Sequence, residues 1–117
     1  MKKLVLGLTL LSTSAFAADM ECMVDTANWD QWRTGSCFAM EFTMDNRPNT
    51  AYWRIINYHK TISSVVWEEK TAGCSSSSTQ CSKSITPYQV HKGQALILYA
   101  DGTWERVSAN ASFETGF

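Results

Sequence analysis

After residue 17 the chain has no long apolar run, no block of basic charge, no helical period longer than one turn and no internal repeat. The first absence excludes a membrane-spanning helix from that part, since a span needs about 20 predominantly apolar residues. The second makes nucleic acid and anionic membrane poor partners, because both are recognised through clustered Lys and Arg. The third leaves strands as the means of burying apolar side chains. Signatures of chemistry are missing as well: no Gly-x-Ser-x-Gly elbow, phosphate loop or carboxylate pair of recognisable local pattern is present. His59 and His91 stand alone, and no Cys-x-x-Cys spacing accompanies them, so no zinc site is signalled. The chain therefore reads as a non-enzyme, with no cofactor and no metal.

What the chain does have begins at its start. Lys2 and Lys3 precede an apolar run over residues 4–11, and Ser14-Ala15-Phe16-Ala17 puts small residues at the positions a leader peptidase reads. Residues 1–17 are a signal peptide of bacterial character, to be cut after Ala17. Residues 18–117 then form one domain of 100 residues, periplasmic or released. Cys22 lacks the Leu and small residues that precede a lipoprotein cysteine. Without Lys2 and Lys3, eight basic residues face eleven acidic ones, a net charge of −3 spread along the chain.

Cys22, Cys37, Cys74 and Cys81 all lie in the exported part. An even count in an oxidising compartment predicts two disulfides. Of the three connectivities, Cys22–Cys37 with Cys74–Cys81 is preferred, since each pair is nearest in sequence and closes a polar loop. A crosslink over about 15 residues contributes roughly 3 kcal/mol in the chain-entropy model. The serine-rich residues 70–83 bury almost nothing and depend on the second staple for order.

Strand signals recur between turn formers. Residues 37–43 place Phe38, Met40 and Phe42 on one face and Cys37, Ala39 and Glu41 on the other. Residues 51–58 assign Trp53 and Ile55 to the core. Residues 62–68 divide Ile62 and Val66 from Val65 and Trp67, with Trp67 a core tryptophan. Residues 84–90 read as a further short strand. The strongest signal is the hairpin over residues 94–113, joined at Asp101-Gly102. With Ala100 and Thr103 flanking a two-residue turn, Tyr99 faces Trp104 and Ile97 faces Arg106. Leu96, Leu98, Val107, Ala109, Ala111 and Phe113 then form the core face. The opposite face carries a Tyr99/Trp104 pair beside Arg106, a cross-strand contact worth roughly 0.2 to 1 kcal/mol.

Some seven short strands, no helix and a closing hairpin predict an all-β fold, a single antiparallel β-sandwich. A small β-barrel is the alternative. Residues 62–67, with their Ile-x-x-Val-x-Trp pattern, followed by residues 93–113, resemble bacterial immunoglobulin-like and polycystic-kidney-type domains. That resemblance implies an immunoglobulin-like sandwich serving as a recognition module without catalysis of its own. Glu68-Glu69-Lys70 stands where the polycystic-kidney-type group has its Trp-associated glycine turn.

Five tryptophans and four tyrosines are more than so small a core absorbs. Tyr99, Trp104 and Arg106 on the hairpin, with Trp29 and Trp32 three residues apart near the start, are the candidate binding residues for a protein or glycan. A second reading is a small exported inhibitor or immunity-type protein that presents the Cys74 to Cys81 loop to an enzyme cleft.

Overall fold

In β4 (Asn49–Ile56) Ala51, Trp53 and Ile55 are buried while Tyr52, Arg54 and Ile56 are half-exposed, the period of two of a strand with one wet face. The same alternation runs through β1 (Asp19–Asp25), β7 (His91–Tyr99) and β8 (Trp104–Thr115), while β3 (Ser36–Glu41), β5 (Ile62–Glu69) and β6 (Gln80–Ile85) keep it in part and the two residues of β2 (Arg33–Thr34) are both exposed. The computed structural model describes residues 17–26, 30–42 and 47–116. Among these there is no helix, and the strands form two separate sheets, ordered β2-β1-β4-β6 and β3-β8-β7-β5. The expected sandwich is present, and no closed barrel forms.

All neighbours pair antiparallel except β3 and β8, which are parallel. Between β2 and β3 the chain passes from one sheet to the other, and Gly35 is where it does so. Its N–H donates to Met20 O on β1, and its C=O accepts from Asn110 N–H on β8, both at 3.0 Å. A φ of 80° lets this residue turn between the two ladders, a conformation that glycine adopts freely. The Cys22–Cys37 disulfide spans the same junction, from β1 to β3. Cys74–Cys81 is the other bond, so the preferred pairing is the one that forms.

The core centres on Trp53. Its register partners across the first sheet are Cys22 and Cys81. Its indole reaches the second sheet and donates Nε1–H to Ala109 O at 3.0 Å. It lies against Gly93, the register partner of Ala109. A Cβ at Gly93 would stand 2.4 Å from the indole Cδ1 and Nε1, so the ring occupies space that only glycine leaves.

Two expectations are corrected. The hairpin closes through three residues, with Tyr99 N–H on Thr103 O at 2.9 Å and Gly102 at φ 90°. A type I turn followed by a left-handed residue has this form, whereas a two-residue I′ turn needs positive φ at Asp101 also. The pairs are therefore Leu98 with Trp104, Ile97 with Glu105, Leu96 with Arg106 and Ala95 with Val107. The slip of one residue inverts β7: Ala95, Ile97 and Tyr99 are buried, and Leu96 and Leu98 are half-exposed.

The strand expected over 84–90 lies instead at Gln80–Ile85, paired to β4. Residues 86–90 make a turn with Tyr88 at φ 65°, whose hydroxyl donates to Thr115 O at 2.6 Å. Trp67 is buried as expected, and its indole N–H is shared by Ser75 O and Ser78 O at 3.2 Å each. The serine loop is thus held by an indole as well as by its disulfide. The buried Thr71 hydroxyl adds a third tie, donating to Glu68 O and accepting from Gln94 N–H.

Replacing Gly93 by Ala tests the central contact. Overpacking and displacement of the indole N–H bond lower stability by about 3 kcal/mol. Urea unfolding followed by tryptophan fluorescence reads this, and a loss under about 0.5 kcal/mol contradicts the contact.

Candidate functional site

The hairpin register decides which side chains face solvent on the β3-β8-β7-β5 sheet. Ser64, Leu98 and Trp104 form one outward row, and Val66, Leu96 and Arg106 the next. Trp104 is 62 % exposed and Val66 44 %, with Leu96 and Leu98 half-buried between them. The patch is thus an aromatic ring beside three aliphatic side chains, bounded by a cation.

Arg106 is fixed in place. Its Nε and Nη2 donate to the two Glu68 oxygens at 3.0 and 3.4 Å, and Gln94 Nε2 donates to the same carboxylate at 2.8 Å. The Arg106 bonds, and then Gln94, hold the Glu68 carboxyl below its usual range. The guanidinium carbon lies 5.9 Å from the Trp104 ring centroid, so the cation and the ring present one surface.

A cleft of about 510 Å³ opens beside Trp104, lined by Ala17, His59, Lys60, Tyr99, Thr103 and Glu105 as well. Lys60 Nζ lies 2.8 Å from Thr103 Oγ1, 3.4 Å from Asp101 Oδ2 and 5.4 Å from the Tyr99 ring centroid. Asp101 accepts from the Thr103 hydroxyl and then from Thr103 N–H, which keep its carboxyl below the usual range. Tyr99 points inward, 6 % exposed, and its hydroxyl donates to Glu105. Burial first, then Glu105, pushes the phenol upward.

The expected Tyr99/Trp104 pair therefore does not form, because Leu98 takes the place opposite Trp104 and Tyr99 lies on the inner side of the strand. Trp104 and Arg106 do share the outer face. Trp32 belongs to the other sheet's outer face, where the Arg54 guanidinium carbon sits 3.8 Å over its ring and Arg54 Nε contacts Glu21 at 2.7 Å. Trp29 lies outside the described residues. Of the described candidates, Trp104 and Arg106 lie on one outer face, Trp32 on the other and Tyr99 inside, so they do not converge on one site.

A second apolar strip was not among the candidates: Phe38, 55 % exposed, and Phe42, 66 % exposed, flank Met40 at the edge of the second sheet. The cysteine was the available signal. Cys37 must turn inward to meet Cys22, and parity then sends Phe38 and Met40 out. His91 Nε2 lies against Thr86, and among the described residues no group of three or more metal-capable side chains gathers.

No protein-family model, curated protein or solved structure matches this chain.

The two aromatic side chains of the hairpin answer differently to truncation. Tyr99→Phe removes the donor to Glu105 and costs about 1.5 kcal/mol, whereas Trp104→Ala, on an exposed ring, changes stability by about 0.5 kcal/mol or less. Denaturant midpoints of the two variants decide, and equal losses would mean that Trp104 is a packing residue.

Proposed function

We propose that this chain is an exported, non-catalytic binding module of immunoglobulin-like build that recognises a protein surface through the Trp104 face. The strand order supports the first part. With β1 and β3 as the two halves of a first strand, β4 and β6 correspond to B and E of an immunoglobulin sandwich, and β5, β7 and β8 to C, F and G. The cysteines depart from that pattern, since they brace the first strand and a loop and do not join B to F. Two disulfides fit an oxidising compartment outside the cytoplasm.

The observation that carries the binding reading is Trp104, left exposed next to Leu96, Leu98 and Val66 and beside an Arg106 already oriented by Glu68. Trp and Arg anchors amid aliphatic contacts are what protein interfaces concentrate at their centres. An arginine already held by a carboxylate loses less freedom on docking. A glycan, which stacks on an aromatic ring and needs polar groups around it, is less well served by the aliphatic surroundings.

The inhibitor reading keeps one observation in its favour, the ordering of residues 70–79 by the Trp67 indole and the Cys74–Cys81 bond. A plug must be rigid, and this loop is tied at several points.

Affinity capture from the producing cell's envelope and medium distinguishes the readings, using oxidised wild-type protein, Trp104→Ala and a Ser75→Ala/Ser77→Ala loop variant. We expect a protein retained by the wild type and the loop variant, with at least tenfold less on Trp104→Ala. Retention by both variants refutes the Trp104 face. Loss on the loop variant alone favours the inhibitor reading, and a glycan lost with Trp104 replaces the protein partner.

A further inference from the structure

The start of β1 is held by an acidic contact. Ala18 is 6 % exposed, and its backbone nitrogen donates to Glu105 Oε1 at 3.0 Å. The other Glu105 oxygen accepts the Tyr99 hydroxyl. Ala17, the residue before, is exposed and forms part of the cleft wall. Lys60, which lines the same cleft, is turned to Thr103 and Asp101. A half-buried carboxylate aimed at a single backbone nitrogen is an arrangement suited to a cation at that nitrogen.

Ala15 and Ala17 stand at the small-residue positions of a leader cleavage site, which places the scissile bond between Ala17 and Ala18. We infer that this bond is the processing point of the chain and that the Ala18 ammonium released there becomes the ionic partner of Glu105, locking β1 against the β7–β8 hairpin. The inference uses the leader reading and is independent of the Trp104 face. The chemistry is hydrolysis by an export-pathway peptidase. The water oxygen joins the Ala17 carbonyl carbon as the C–N bond breaks, Ala17 leaves as a carboxylate, and both water hydrogens end on the Ala18 nitrogen. One neutral N–H donor thereby becomes a cation with three donors, at the distance already set for a charge-assisted bond.

The ionisable groups of this cleft are Glu105 on β8, Tyr99 on β7 and His59 and Lys60 in the β4–β5 connection, with Asp101 of the hairpin turn paired to Lys60 and Asp19 next to Ala18 on β1. Pairing with Glu105 raises the amine above its ordinary value of about 8. A raised folded-state value means stabilisation that is full from mildly acid to neutral pH and is lost as pH rises through the raised value. The contribution is therefore absent in strong alkali. Comparing free and acetylated termini isolates it, because the two chains share every other titration.

The first test is the intact mass of the exported protein, which must correspond to a chain beginning at Ala18; any other start overturns the inference. The second compares the same oxidised chain with a free and an N-acetylated Ala18. The folding equilibrium of the free form is expected to be about tenfold more favourable at pH 6, corresponding to a rise of about one pH unit in the amine, with the advantage gone by about pH 11. An advantage that is absent, or equal at both pH values, overturns the ion pair. Glu105→Gln is expected to abolish the pH-dependent difference. Should that variant not fold, titration of the Ala18 amine by NMR in the unsubstituted protein decides, a value at or below about 8 standing against the pairing.

Discussion

The Trp53 indole lying on Gly93 and bonded to the Ala109 carbonyl is the contact on which the rest of the sandwich depends. It crosses the interior between a β4 position and a paired β7–β8 position, so it fixes how far apart the sheets stand and how they are set along the strands. Both disulfides act near it, since Cys22 and Cys81 are the register neighbours of Trp53 on its two sides. Cys22 carries the constraint to β3 in the second sheet, and Cys81 carries it to the serine loop. In a fold this small, where burial alone leaves a narrow margin, a keyed indole with two adjacent crosslinks concentrates the stabilisation at one level of the core.

How far the sequence revealed this depended on whether local pattern or cross-sheet volume decided the outcome. In β4 the alternation was unambiguous, and Trp53 and Ile55 are in the core as read. The disulfide pairing followed from proximity along the chain. The face of β7 did not follow, because it hangs on the length of the turn, and a two-residue turn at Asp101-Gly102 sends Leu96 and Leu98 inward in place of Gly93 and Ala95. The core selected the smaller set since Trp53 arrives from the opposite sheet and needs the space. Close packing sorts side chains by fit as much as by polarity. Asp101-Gly102 was a true turn signal, yet it suits a three-residue loop as well as a two-residue one, and one residue inverts a strand.

The candidate site was legible to the same degree. Trp104 and Arg106 belong to β8, whose faces were assigned correctly, and both are on the outer side. Tyr99 belongs to β7 and moved with the slip, exchanging a place in an aromatic pair for an inward hydroxyl on Glu105. The outward direction of the Phe38 and Phe42 face has a separate origin: the pattern of residues 37–43 separates the two faces of the strand, and it is the disulfide on the opposite parity that turns this one outward.

The inward Tyr99 and the outward leucines of β7 have one cause. Seating Trp53 requires Gly93, and through the strict alternation of β7 that choice sends Ala95, Ile97 and Tyr99 inward and leaves Leu96 and Leu98 on the surface. The aliphatic half of the Trp104 patch is therefore a consequence of the core and needs no separate arrangement. Changing β7 to cover its leucines would force Gly93 away from the indole, so the exposed patch cannot be removed by re-registering the hairpin without losing the central contact. A single leucine can still be made polar in place, since its side chain points away from Trp53. The fold thus dictates where the apolar face lies and leaves its chemical character to the residues upon it, which is the separation of scaffold and specificity that a recognition surface on a rigid sheet requires.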